Sequence, residues 1–97
     1  MIRHVALFRL KDDAPQGARH SLEEGLAAIA QTIPQIAAYS YGADLGMRDG
    51  NFDFGVVADF ENAEAFQSYV EHPDHRAFVE QRLSPVVDER VSIQFTL

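Results

Sequence analysis

Ile2-Arg3-His4-Val5-Ala6-Leu7-Phe8-Arg9-Leu10 is the stretch on which the fold turns. Its residue types favour a β-strand, and it is apolar in both registers of a two-residue period. Ile2, Ala6, Phe8 and Leu10 fall on one face, and Val5 and Leu7 on the other. A strand apolar on both sides is a central strand covered twice. Something other than water must therefore lie on its second face.

Working outward, Lys11-Asp12-Asp13-Ala14-Pro15 reads as a strand-to-helix junction, with Asp13 as N-cap and Pro15 in the first turn. Leu22, Leu26, Ile29 and Ile33 follow at helical spacing on one stripe, and Pro34 ends the helix by forcing the residue before it out of the α region. Ile36 to Asp44 reads as a second strand, and Gly46 to Asn51 as a turn. The third strand, Phe52 to Phe60, places Phe52, Phe54, Val56, Ala58 and Phe60 on one core-facing side. Asn62 caps a short helix carrying Ala65, Phe66 and Tyr69, which His72-Pro73 interrupts. A further helix runs from Pro73 to about Leu83, and after Pro85 a last strand alternates Val91, Ile93, Phe95 and Leu97. The order β-α-β-β-α(α)-β is the ferredoxin-like pattern of the α+β class: a four-stranded antiparallel sheet with helices on one face. No repeat or linker divides residues 1–97, which read as a single domain.

A chain of 97 residues buries only about two-thirds of its unfolded surface, so burial against a second copy is favoured and a homodimer is expected. Fifteen Asp and Glu against eight Lys and Arg leave a net charge of -7. Such a surface repels phosphate backbones and anionic lipid, which argues against nucleic acid and membrane as partners. The absence of cysteine excludes disulfides, thiol nucleophiles and thiolate zinc sites. The opening residues lack the apolar core and cleavage site of a secretory signal, so the expectation is a cytoplasmic protein.

Two segments together carry a family resemblance: His4-Val5-Ala6-Leu7-Phe8-Arg9-Leu10-Lys11 and Tyr69-Val70-Glu71-His72-Pro73-Asp74-His75. They resemble the stress-responsive A/B-barrel (Dabb) family, and the similar layout includes Ile33-Pro34 and Asp53. The resemblance implies a homodimer whose two sheets pack face to face, with the helices outside, which would cover Val5 and Leu7. Its chemistry is diverse, from plant stress proteins without a known reaction to a plant cyclase that closes a polyketide thioester by an aldol reaction without cofactor. Carried over by motif, that cyclase's histidine and tyrosine fall on His75 and Tyr69, and its first-strand histidine on His4. A further pocket histidine on the third strand is replaced by Phe54.

His75 has an ordinary pKa of about 6.5 and can move a proton at cellular pH. Tyr69 can donate a hydrogen bond to a carbonyl oxygen that gains negative charge. Together they suit proton removal α to a carbonyl. The plain structural alternative for His75 is a helix-start residue held by a backbone carbonyl. His72, before Pro73, suits N-capping of the next helix. His72 and His75 lack a third ligand at a recognised spacing, so no metal is expected. His4 reads either as a satisfied core histidine or as a hydrogen-bonding group of a pocket. Phe54, Phe66 and Phe78, together with Phe95, are candidates to line an apolar cavity. The adjacent carboxylates Asp12-Asp13, Glu23-Glu24 and Asp88-Glu89 point in different directions and read as solvated faces and caps. No phosphate-binding glycine loop and no cofactor motif occurs.

Three functions compete. One is a protein that binds a small apolar carbonyl or aromatic compound between helices and sheet, with or without His75/Tyr69 proton transfer. The second is a non-enzymatic stress-associated dimer with a filled interior. The third, a cofactor-free oxygenase, ranks below them because the chain has no tryptophan of the kind such sites use.

Overall fold

A computed structural model describes all 97 residues. The elements are β1 (Ile2–Leu10), α1 (Ala18–Thr32), β2 (Ile36–Ala43), β3 (Phe54–Phe60), α2 (Ala63–Glu71), α3 (Pro73–Phe78) and β4 (Val87–Thr96). The strands form one antiparallel sheet in the order β2-β3-β1-β4, so β1 is central as its two-sided apolar pattern requires. The helices cover the face that carries Ala6, Phe8 and Leu10. Leu22, Leu26, Ile29 and Ile33 of the first helical stripe are all at least 98% buried against it. Ile33 turns extended at the helix end, as Pro34 dictates. No helix is long and apolar enough to cross a membrane.

The structure corrects the sequence reading in four places. First, α1 begins at Ala18, with Gly17 at its N-cap and no side-chain cap, and Asp13 lies in a preceding turn. That turn is held from outside the helix, because Lys11 N–H donates to Val86 O at 2.8 Å and Ala14 N–H to Lys11 O at 3.1 Å. Second, β3 starts at Phe54. Phe52 stays out of the core, its ring lying 4.2 Å under the Arg9 guanidinium. The Asp53 carboxylate accepts from Leu10 N–H at 2.8 Å and pairs with Arg19 at 3.4 Å, tying the end of β1 to the start of α1.

Third, the last helix does not run as α-helix to Leu83. After Phe78 it widens into a π-helical turn over Val79–Leu83, closed by Ser84 N–H donating to Val79 O at 2.8 Å. Fourth, the apolar alternation of β4 faces away from the helices. Pairing sets Val91 beside Leu7, Ile93 beside Val5 and Phe95 beside Arg3 on the open side of the sheet. Phe95 therefore lines no cavity under the helices.

Candidate functional site

The His72-Pro73 pair positions the site. Asn62 Oδ1 accepts from Ala65 N–H at 2.9 Å and starts α2, which carries Tyr69 inward to 3% exposure. His72 then leaves the helix in an extended conformation (φ -60°, ψ 135°), as a residue before proline must. Its Nδ1 accepts from Asp74 N–H at 3.1 Å, so it is the N-cap of α3, with Pro73 at the first helical position. The sharp turn brings His75, in the first turn of α3, back against the end of α2. The His75 and Tyr69 rings stand with centroids 4.4 Å apart.

Both rings line a cavity of about 310 Å³ between the helices and the sheet. Its apolar wall includes Leu26, Val56, Phe66 and Phe78, and His4 enters from β1. The His4 ring lies 5.1 Å from Phe66 and 6.2 Å from Tyr69, and its Nδ1 is 2.9 Å from Gln94 Nε2. Thus His4, Phe66, Phe78, Tyr69 and His75 come together. Phe54 does not join them: 1% exposed, it stacks on Phe8 at 6.4 Å as core filling. His72 is kept to its capping task, and no three His, Asp or Glu side chains converge anywhere in the molecule.

Electrostatics set the protonation states. Burial pushes the His75 pKa below the ordinary 6.5, and repulsion from Arg90 and from the protonated forms of His4 and His72 adds to the lowering, while a hydrogen bond to the Val70 backbone, the tie expected of a helix-start histidine, opposes it. Burial alone lowers His4. Both imidazoles are therefore neutral at pH 7. Tyr69 is raised by burial and stays protonated, with a hydrogen bond from Tyr39 acting in the opposite sense. A neutral imidazole next to a protonated phenol is a base beside a hydrogen-bond donor.

Tyr39, Arg90, Ser92 and Gln94 are the site residues that sequence reasoning missed. Tyr39 hydroxyl lies 2.8 Å from Tyr69 hydroxyl. The other three sit on the cavity wall, on the β4 face opposite to its apolar alternation. The signal that could have found them is the polar half of that strand, Arg90, Ser92 and Gln94, which alternates with Val91, Ile93 and Phe95.

A family model described as the stress responsive A/B barrel domain matches residues 2–97. A dimeric ferredoxin-like protein of unknown function from Thermobifida fusca has a solved structure that superposes with a TM-score of 0.92. It is 41% identical, with 99% of this chain and 90% of that one covered. An uncharacterized protein of Streptomyces coelicolor is 30% identical over 81 residues, which are 81% of this chain and 84% of that protein. The hydroxynitrile lyase of Passiflora edulis shares the fold at a TM-score of 0.85 and 18% identity, with 99% and 92% of the two chains covered.

Proposed function

The chain belongs to the stress-responsive A/B barrel domain family, and on that premise we propose that it is a homodimer that binds a small apolar carbonyl or aromatic compound and moves a proton on it. The observation that carries this reading is the pairing of His75 and Tyr69, 4.4 Å apart by ring centroids, on the wall of a cavity of about 310 Å³. A non-enzymatic dimer requires no such space, and a filled interior would have favoured it.

Neutral His75 accepts a proton from the carbon α to the carbonyl, and the C–H electron pair passes into the enolate. Tyr69 hydroxyl hydrogen-bonds the carbonyl oxygen as its charge grows. The enolate then takes a proton back from the imidazolium or attacks a second carbonyl in an aldol closure, whose alkoxide receives that proton. No metal or organic cofactor enters these steps. That an enzyme with this backbone is a lyase shows only that the fold accommodates catalysis.

The test needs no knowledge of the natural substrate. In D2O, the protein should accelerate deuterium uptake at the α carbon of a bicyclic ketone such as 2-tetralone above the buffer rate. His75→Ala should lose roughly 10²-fold or more of that acceleration, the usual contribution of a general base. Exchange equal to buffer for wild type, or undiminished in His75→Ala, counts against the proton-transfer reading.

A further inference from the structure

β4 carries two opposed faces. Arg90, Ser92 and Gln94 pair with Phe8, Ala6 and His4 of β1 and so share their side of the sheet, toward the helices. All three line the cavity, where the facing walls are the apolar side chains of α1, β3 and α2. β4 is the edge strand, packed chiefly against β1, and these three polar residues are exposed at the rim of the cavity.

Arg90 is the charged member of that wall. It forms no salt bridge and no side-chain hydrogen bond within the chain, although fifteen carboxylates are present and the net charge is -7. Arg3, Arg9 and Arg19 each pair with a carboxylate, Arg48 and Arg76 are unpaired like Arg90, and Arg90 alone of the arginines lines the cavity. A guanidinium presents planar donors suited to a carboxylate, and an exposed one at the cavity rim is open to that of a ligand. Ser92, next along the same face, adds a hydroxyl donor, and Gln94 is oriented by His4.

We propose that the ligand of this cavity is an organic anion, an apolar or aromatic carbonyl compound whose carboxylate is held by Arg90 and Ser92 while its body lies against Phe66 and Phe78. This rests on the reading of the cavity as a ligand site and adds the class of ligand. The carboxylate anchors one end at β4, and the carbonyl meets Tyr69 and His75 across the cavity. Arg90 is thus a specificity residue for charge, distinct from the proton-transferring pair.

The experiment compares 2-naphthoate with 2-naphthamide, which keeps the shape and removes the charge, by NMR titration of the 15N-labelled protein. Wild type should bind naphthoate about tenfold more tightly than naphthamide, as one charge-assisted hydrogen-bonded contact provides. Arg90→Gln should abolish the preference by weakening naphthoate alone, Arg90→Lys should keep part of it, and added salt should reduce it. Equal affinities in wild type, or a preference that survives Arg90→Gln, overturn the anion proposal while naphthamide shifts at Tyr69 and His75 leave the cavity reading standing. If neither compound shifts those residues, the cavity reading falls, and this proposal with it.

Discussion

Tyr39 and Tyr69 place their hydroxyl oxygens 2.8 Å apart, with the rings edge to face at 6.1 Å. β2 supplies one and α2 the other, so the contact locks the helix that bears the cavity tyrosine onto the sheet. Burial holds Tyr39 far above the ordinary phenol pKa, and it remains a donor throughout the working pH range. When Tyr39 donates, the Tyr69 proton is free to point at a ligand.

Tyr39→Phe should therefore weaken function through Tyr69 without touching the ligand. We expect the ketone exchange rate to fall about tenfold and stability by about 1 kcal/mol, the net worth of one buried hydrogen bond. Ultraviolet titration supplies the readout that separates positioning from simple loss of packing: the Tyr69 pKa should rise further, because the Tyr39 hydrogen bond is what holds it down. A Tyr69 titration unmoved by Tyr39→Phe would show that the contact does no such work.

The two cavity histidines give the pH dependence its sign. His75 and His4 both have folded pKa values below 6.5. The base form of His75 thus fills as pH rises through that lowered value, and exchange should climb below pH 6.5 and be flat above it. Stability moves the same way. Below pH 6.5 the unfolded histidines bind protons that the folded ones refuse, so stability falls as pH drops from 6.5 toward the folded values. Urea unfolding at pH 7.5 and pH 5 should show this loss reduced in His75→Gln, and an equal loss in both proteins would contradict it.

The sheet and the first helix were legible because burial leaves a period in the sequence. Leu22, Leu26, Ile29 and Ile33 could occupy only one stripe, and the two-sided β1 could only be central. The break at His72 was legible because proline constrains its neighbour locally, whereas Tyr69 and His75 stood out through the family resemblance of their block. Contacts made across the fold were not legible. The turn before α1 is fixed by Val86 and Asp53, far away in sequence, and no local signal moves the helix start from Asp13 to Ala18. Likewise Tyr39 gains its role only from the register that sets it opposite Ala58, beneath α2. For β4 the alternation is legible and its direction is not, since a period of two does not say which side of the sheet the apolar residues take.

Gly25 lies where α1 crosses the end of α3, and a Cβ there would stand 2.5 Å from Phe78 Cδ1 and 2.7 Å from Arg82 Cδ. Alanine normally gains a helix interior about 1 kcal/mol over glycine. Overpacking costs about 1–3 kcal/mol, and the Phe78 ring is buried, so the clash wins. Gly25→Ala should lower the melting temperature and, by displacing a cavity wall, weaken naphthamide binding. A stabilised variant with unchanged binding would mean that Phe78 yields freely.

The open face of the sheet predicts the assembly. Leu7, Val91, Ile93 and Phe95 are 37%, 45%, 59% and 44% exposed, and they join half-buried Val5 and Val57 in one stripe across β3, β1 and β4. A wet apolar stripe on a central strand marks an interaction surface, and the Thermobifida fusca neighbour is described as dimeric. If two copies pack through this face about a two-fold axis, each substitution enters the interface twice. Ile93→Arg then loses two apolar contacts and buries two like charges, and should weaken association by about 10²-fold or more. Sedimentation should give twice the 10.8 kDa chain mass for wild type and the single mass for Ile93→Arg at the same micromolar concentration, with an unchanged far-ultraviolet spectrum. A wild-type monomer would remove the homodimer reading. A dimer that survives Ile93→Arg would place the contact on the helices instead, and Val5 and Leu7 would then stay exposed to water.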